Sequence, residues 1–92
     1  MVRAIVLYDA APDADRYAAH VELCRKVEGA TFRHGRVFGA PMGEPKYGYY
    51  AEWEFPDTAT FKAAARSEEF MATGKDAMEM GGRITVLFAE VD

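Results

Sequence analysis

Apolar residues recur along this chain with two different periods, and the changes of period mark out its elements. In "RAIVLYD", residues 3–9, both alternate sets are apolar: Ala4, Val6 and Tyr8 on one side, Ile5 and Leu7 on the other. That pattern predicts a strand covered on both faces and central in its sheet. "APDADRY" supplies turn residues, with Asp13 as an N-cap after Pro12, and helical spacing then runs through Tyr17, Val21, Cys24 and Val27 to Glu28. Gly29 stops it, as a glycine just beyond a helix commonly does. "ATFRHGRVF" predicts a second strand with Phe32, His34, Arg36 and Phe38 on one side and Thr31, Arg33, Gly35 and Val37 on the other. The Gly- and Pro-rich "GAPMGEPK" is a loop, and "YGYYAEWEF", residues 47–55, is a third strand.

A second helical stretch starts at the N-cap Asp57, with Phe61, Ala64, Ala65, Phe70, Ala77 and Met78 on one stripe. Ser67 followed by two glutamates reads as a fresh N-cap, so this helix is expected to break in two there. "RITVLFAEV" closes the chain as a fourth strand, apolar on both sets. The order is βαββαβ, an α+β ferredoxin-like arrangement. Right-handed crossovers place both helical segments on one face of a four-stranded antiparallel sheet and leave the other face bare. Strands one and four are apolar on both sides, so an isolated chain exposes more apolar surface than a soluble monomer tolerates. A second copy, a ligand or RNA must cover it.

Composition narrows those choices. Ninety-two residues make one domain, 1–92, with a single core. The net charge of −4 gives no long-range attraction for phosphate backbones or anionic lipid. The single cysteine, Cys24, allows no internal disulfide and no cysteine-based zinc site, and burial on the helix stripe makes it an inert thiol. The N-terminal apolar run is too short for a signal peptide or a membrane span, which points to a cytoplasmic protein. Neither a phosphate-binding loop, a metal-ligand spacing nor a dinucleotide fingerprint occurs, so no cofactor or metal is expected. Met71, Met78 and Met80 are expected to fill gaps in the core.

Strand three carries the candidate chemistry. "KYGYYAEWEF" superficially resembles the RNA-stacking strand of an RNA-recognition module. Registered on Gly48, however, it has Tyr50 where a small residue belongs and Ala51 where the next aromatic belongs. Glu52 and Glu54 on the same side repel a phosphate backbone as well, so nucleic acid is excluded as a partner. Tyr49, Ala51, Trp53 and Phe55 are the more apolar set and belong beneath the helices, which sends Tyr50, Glu52 and Glu54 to the bare face. Carboxylates there need partners, and Arg3, Arg33, Arg36 and Arg83 lie on or next to strands. If His34 shares that face, His34, Glu52 and Tyr50 form an acid-base cluster in which the carboxylate orients the imidazole and the phenol donates to a developing oxyanion. If it faces the helices, they do not. His20, between Tyr17 and Cys24 on the helix stripe, reads as a core-edge histidine bonded to backbone.

"VRAIVLYDAAPD", "VEGA" leading into "FRHGRVFG", the block from Gly43 to Phe70 and the terminal "ITVLFAEV" together resemble the EthD-like family of dimeric α+β barrel proteins. The resemblance spans nearly the whole chain, with "RSEEF" standing where the family's helix break carries a proline. It implies a ferredoxin-like subunit whose sheet packs against its twin's, a homodimer through the sheet face. It also implies a hydrophobic or aromatic small molecule bound between sheet and helices or at the sheet face, with cofactor-independent proton transfer or oxygenation as the chemistry. The first helical region is shorter than in typical relatives, and Tyr17 and His20 alone can stand for the family's tyrosine and histidine there. The candidate catalytic residues are therefore His34, Glu52 and Tyr50, then His20. The alternative is a non-catalytic, stress-related or accessory dimer, in which the glutamates are fully paired with arginines and no ligand cavity exists.

Overall fold

A computed structural model describes residues 1–92 as β1 (Val2–Tyr8), α1 (Ala14–Cys24), β2 (Thr31–Arg36), β3 (Tyr49–Phe55), α2 (Thr58–Ala65), α3 (Glu68–Met80) and β4 (Ile84–Glu90). This is the expected βαββαβ order with the second helical segment split at Ser67. Each helix starts at the side chain its sequence proposes. Asp13 accepts from the Arg16 amide at 3.0 Å, Asp57 from Thr60 at 2.7 Å, and Ser67 Oγ from Phe70 at 3.1 Å, so each cap satisfies a backbone donor that the first turn leaves open. α1 ends at Cys24, earlier than the spacing to Glu28 predicts, because the chain turns at Arg25 while Val27 still packs into the core. Gly29 has φ +81, and a Cβ there would collide with the Thr60 methyl of α2, so the position needs glycine for both conformation and space.

The sheet order is β2-β3-β1-β4 with every neighbouring pair antiparallel. Its register sets residues level across the sheet: Arg36, Tyr49, Tyr8 and Ile84 at one end, and Thr31, Glu54, Arg3 and Ala89 near the other. Val2, Ala4, Val6 and Tyr8 of β1 share a face with Ala51, Trp53 and Phe55 of β3 and with Phe32 of β2, and these pack against Tyr17, Cys24, Val27 and Ala64. The apolar set of β3 is thus beneath the helices, as its alternation predicts. Trp53 Nε1, buried there, donates to the Cys24 carbonyl at 2.9 Å.

Two expectations change. Ile84, Val86 and Phe88 of β4 lie on the helix side yet stay exposed, since the helices leave this edge strand largely open, with Phe61 packing on Phe88. Met71 and Met78 are exposed and fill no core gap; the inward side of α3 is Phe70, Thr73, Ala77 and Met80, three to four residues apart. No helix is long and apolar enough to cross a membrane.

Candidate functional site

The two faces of β3 hold two different constellations. On the bare face the Tyr50 hydroxyl donates to Glu52, whose other oxygen accepts from Arg33 Nη1 at 2.8 Å and lies 4.0 Å from Arg3 Nε. Arg3 Nη2 also donates to Glu54 at 3.2 Å, with Arg33 3.5 Å from the same oxygen. Two carboxylates and two guanidiniums therefore close on one another, and Glu52 is only 6% exposed even in the single chain. Burial, and then the bond to Glu52, pushes the Tyr50 phenol up to about 12, so it remains a donor to the carboxylate at neutral pH. Of the four arginines near strands, the register selects Arg3 and Arg33. Both oxygens of Glu52 are occupied within the cluster, which reads as an ion-pair network.

His34 is not part of it. Its β3 partner is Ala51, on the helix side, whereas Arg33 and Gly35 pair with Glu52 and Tyr50. The expected His34–Glu52–Tyr50 cluster is corrected by this register, because side chains one residue apart on a strand point to opposite faces. His34 Nδ1 instead meets the Tyr49 hydroxyl at 2.7 Å, and the ring stacks on Phe32. Partial burial, then the nearby Arg25 charge, lowers its pKa, so it is neutral at physiological pH. It borders an open groove of about 380 Å³ beside Tyr17 and Val21 of α1.

His20 is placed differently. It sits inside α1's buried stripe, 3% exposed, and lines an almost wholly apolar cavity of about 120 Å³ between α3 and the sheet. Val6, Tyr8, Trp53, Phe70 and Val86 are part of its wall. The bond is to a carboxylate rather than to backbone as expected: Nδ1 lies 2.8 Å from Asp76 Oδ2. Asp76 is gripped in turn by Arg16, Nη2 to Oδ1 at 2.6 Å and Nη1 to Oδ2 at 3.2 Å. Arg16 and His20 are four residues apart on α1, hence on one side of the helix, and Asp76 faces them from α3. The Arg16 guanidinium, then the bond to His20, holds the Asp76 carboxyl below its ordinary range. An ionised carboxylate only accepts, so Nδ1 carries the proton. In the neutral ring Nε2 is then an acceptor, and it has no partner within the chain.

The Tyr8 and Tyr17 hydroxyls lie 3.4 Å apart at the edge of this cavity. Burial raises both phenols, so both are neutral donors. Cys24, the last residue of α1, is pushed up to about 12 by burial and is an unreactive thiol at neutral pH. No group of three or more His, Cys, Asp and Glu side chains is placed to hold a metal ion. A larger open groove of about 560 Å³ between Glu28 and α2 contains no histidine and no aromatic ring, and is not a candidate.

A buried imidazole, fixed by a carboxylate and lining an apolar cavity between helices and sheet, marks a ferredoxin-like subunit with a cavity beneath its helices. Among solved structures, an ethyl tert-butyl ether D (EthD) family protein from Bacillus halodurans matches it over 100% of this chain and 99% of that one, with 32% identity and a TM-score of 0.84. The chain belongs to the EthD family. A dimeric ferredoxin-like protein of unknown function from Jannaschia matches with 22% identity over 98% of both chains and a TM-score of 0.74. The hydroxynitrile lyase of Passiflora edulis matches with 17% identity over 99% of this chain and 93% of that one, TM-score 0.75; these two show the fold alone. No protein-family model matches the chain, and no curated protein does.

Asp76 and Arg16 were outside the expected site. Their link to His20 spans 56 residues for the Asp76–His20 contact and 60 for Asp76–Arg16, and no local pattern signals it. The one available hint is an acid beside inward-facing Thr73 and Ala77 on α3.

Proposed function

We propose that this protein is a homodimer that binds a small, largely apolar, ring-sized molecule in the cavity beneath its helices and acts on it by proton transfer at His20. The observation that carries the reading is a buried, carboxylate-oriented imidazole lining a cavity whose other walls are almost all apolar. Apolar walls supply affinity at about 25 cal/mol per Å² of surface removed from water, and one convergent polar atom fixes orientation. Apolar cavities of roughly 150 Å³ admit benzene, so about 120 Å³ suits one small ring, with room to extend past the exposed side of β4.

His20 acts as general base through Nε2: it takes a proton from a C–H or O–H made acidic by a neighbouring carbonyl, nitrile or ring, and Asp76 stabilises the imidazolium that forms. The proton is returned to another atom of the same molecule, which is isomerisation, or follows a leaving group, which is elimination. The Tyr8 phenol, at the cavity edge, donates to Tyr17 at 3.4 Å and would turn from that bond to the oxyanion. Neither direction needs an electron acceptor. That proteins of this fold include a hydroxynitrile lyase and an antibiotic biosynthesis monooxygenase supports small-molecule work but names no reaction for this chain.

The homodimer reading rests on the bare face, where Ile5, Leu7 and Leu87 lie beside the closed Arg–Glu network, and on relatives described as dimeric. A non-catalytic dimer is favoured by one observation, the full pairing of both glutamates with arginines. It does not account for the cavity on the opposite face.

Titration with phenol, read by imidazole ¹⁵N shifts, tests the site. The expected result is a saturable shift at His20 Nε2 with perturbed amides in α3 and β4, absent in His20→Phe. Perturbation confined to His34, or equal binding by His20→Phe, would place the ligand elsewhere.

A further inference from the structure

The wall of the His20 cavity contains four side chains that carry a proton on nitrogen or oxygen, Tyr8, His20, Trp53 and Thr73; the rest are apolar or glycine. Each of those protons is already engaged within the chain. His20 Nδ1–H meets Asp76 at 2.8 Å, and Trp53 Nε1 donates to the Cys24 carbonyl at 2.9 Å. Thr73 Oγ1 donates to the Phe70 carbonyl at 2.6 Å and the Tyr8 hydroxyl to that of Tyr17 at 3.4 Å. We propose that this cavity, having lone pairs but no free proton to present, selects ring-sized ligands that bring their own O–H or N–H and turns away ligands of the same shape that can only accept. The proposal rests on the His20-centred reading above and narrows its ligand class to phenols, enols and N–H heterocycles, as against ethers and aryl halides.

Backbone groups do not supply the missing donor. The wall residues lie in β1, β3 and β4 on one side and in α1 and α3 on the other. Strand amides lie in the plane of their sheet, including those on the open edge of β4, and helical amides run along the helix axis, so neither kind is aimed into a space between the two layers.

Two accepting atoms remain in the buried part of the wall. Trp53 contributes none, because an indole nitrogen only donates. His20, with its Nδ1 proton held by Asp76, has Nε2 as the acceptor of the neutral ring. Thr73 Oγ1 gives its proton to the carbonyl three residues earlier in α3 and accepts from no group in the chain. His20 is 3% and Thr73 4% exposed, so bulk water scarcely reaches either residue. A ligand O–H or N–H exchanges its bonds to water for one to these atoms, whereas an ether oxygen or a halogen gives up water and finds no proton in return. Tyr8 is the partial exception, since its bond to Tyr17 is the longest of the four. A neutral acceptor that drew the Tyr8 proton would leave Tyr17 without it, and only a charged oxygen, formed after proton transfer, is a strong enough acceptor to gain by the exchange.

Two pairs of near-isosteric ligands test the selection: pyrrole against furan, and phenol against fluorobenzene. Each is titrated into the ¹⁵N-labelled parent protein at a pH where the His20 ring is neutral, and dissociation constants are taken from the shifts of the His20 imidazole and the Thr73 amide. Pyrrole and phenol are expected to bind at least roughly tenfold more tightly than furan and fluorobenzene. Apolar burial alone ranks each pair the other way, because furan and fluorobenzene leave water more readily. Furan and fluorobenzene binding at His20 as tightly as their partners would overturn the selection and leave the cavity standing as a binding site; no shift at His20 with any of the four would overturn both. Thr73→Val keeps the shape of the side chain and removes its oxygen, and should shrink the pyrrole preference by roughly twofold to tenfold. An undiminished preference in a folded Thr73→Val protein would remove Thr73 from the selection and leave it to His20 alone.

Discussion

Asp76→Asn changes one atom of the site and should reverse the proton on His20. In the parent protein both carboxylate oxygens are occupied, Oδ1 by Arg16 at 2.6 Å and Oδ2 by His20 Nδ1 at 2.8 Å with Arg16 at 3.2 Å. An asparagine offers one acceptor and one donor. Arginine cannot accept, so the amide oxygen must turn to the closer Arg16 contact, which leaves the amide nitrogen facing Nδ1. Nδ1 then accepts and the proton moves to Nε2. A charge-assisted hydrogen bond to a buried ring contributes about 1.5–3 kcal/mol, a bias of roughly 10- to 150-fold between tautomers at 1.36 kcal/mol per decade. Long-range proton–nitrogen NMR of labelled imidazoles reads the two forms directly. The parent is expected to show Nδ1–H with Nε2 unprotonated at a pH where the ring is neutral, and Asp76→Asn the opposite. The hydrogen would then sit on Nε2, and base catalysis there should be lost while phenol still binds. Retention of Nδ1–H in Asp76→Asn would show that Asp76 does not set the tautomer, and the assignment of His20 as a base through Nε2 would fall.

Glu52→Gln leaves Arg3 and Arg33 without their shared buried carboxylate and should cost about 1–3 kcal/mol, discounted because both guanidiniums reach solvent. For a domain of this size that is a fall in melting temperature of at least about 4 °C; an unchanged melting curve would mean the network is structurally idle. Phe55→Ala empties the fully buried centre of the core, where the ring meets Phe61 edge to face at 5.4 Å, and should cost about 3–5 kcal/mol by urea denaturation. A loss under about 1 kcal/mol would mean the core is not packed as described. The carboxyl of Asp76 has a lowered folded pKa, so its contribution is complete above the ordinary carboxylate range and drains away as pH falls through that range and past the folded value. Urea midpoints measured from neutral to acid pH should therefore separate the parent from Asp76→Asn most at neutrality and bring them together in acid; parallel curves would refute the linkage.

The elements were legible because each starts at a strong local signal: Asp13, Asp57 and Ser67 all cap where their side chains suggest. The faces of β3 were legible too, since alternation within one strand is fixed by the pleat. What alternation cannot give is the pairing between strands, and the His34 cluster depended on it. The signal that bears on His34 was Phe32, two residues earlier and therefore on the same side: a buried phenylalanine draws that whole set beneath the helices. Asp76 had only the weak hint of lying beside inward-facing Ala77, because its partners lie on another helix. Exposure of β4 was hidden for a further reason, since an apolar pattern states what a strand needs to bury without stating which chain supplies the cover.

The charge network and the pocket are linked through register. Because side chains alternate, sliding β2 by one residue along β3 would turn Arg33 and Gly35 under the helices and bring His34 out beside Glu52. That slip would bury a guanidinium against Trp53 and remove the phenyl of Phe32 from the core, and both changes are costly. The Arg33–Glu52–Arg3 cluster thus selects against the arrangement in which His34 would have been catalytic. The residues on the bare face in this way determine what stands on the other: with β2 held in this register, His34 is kept at the edge with Tyr49, and His20 is the histidine left facing the apolar cavity.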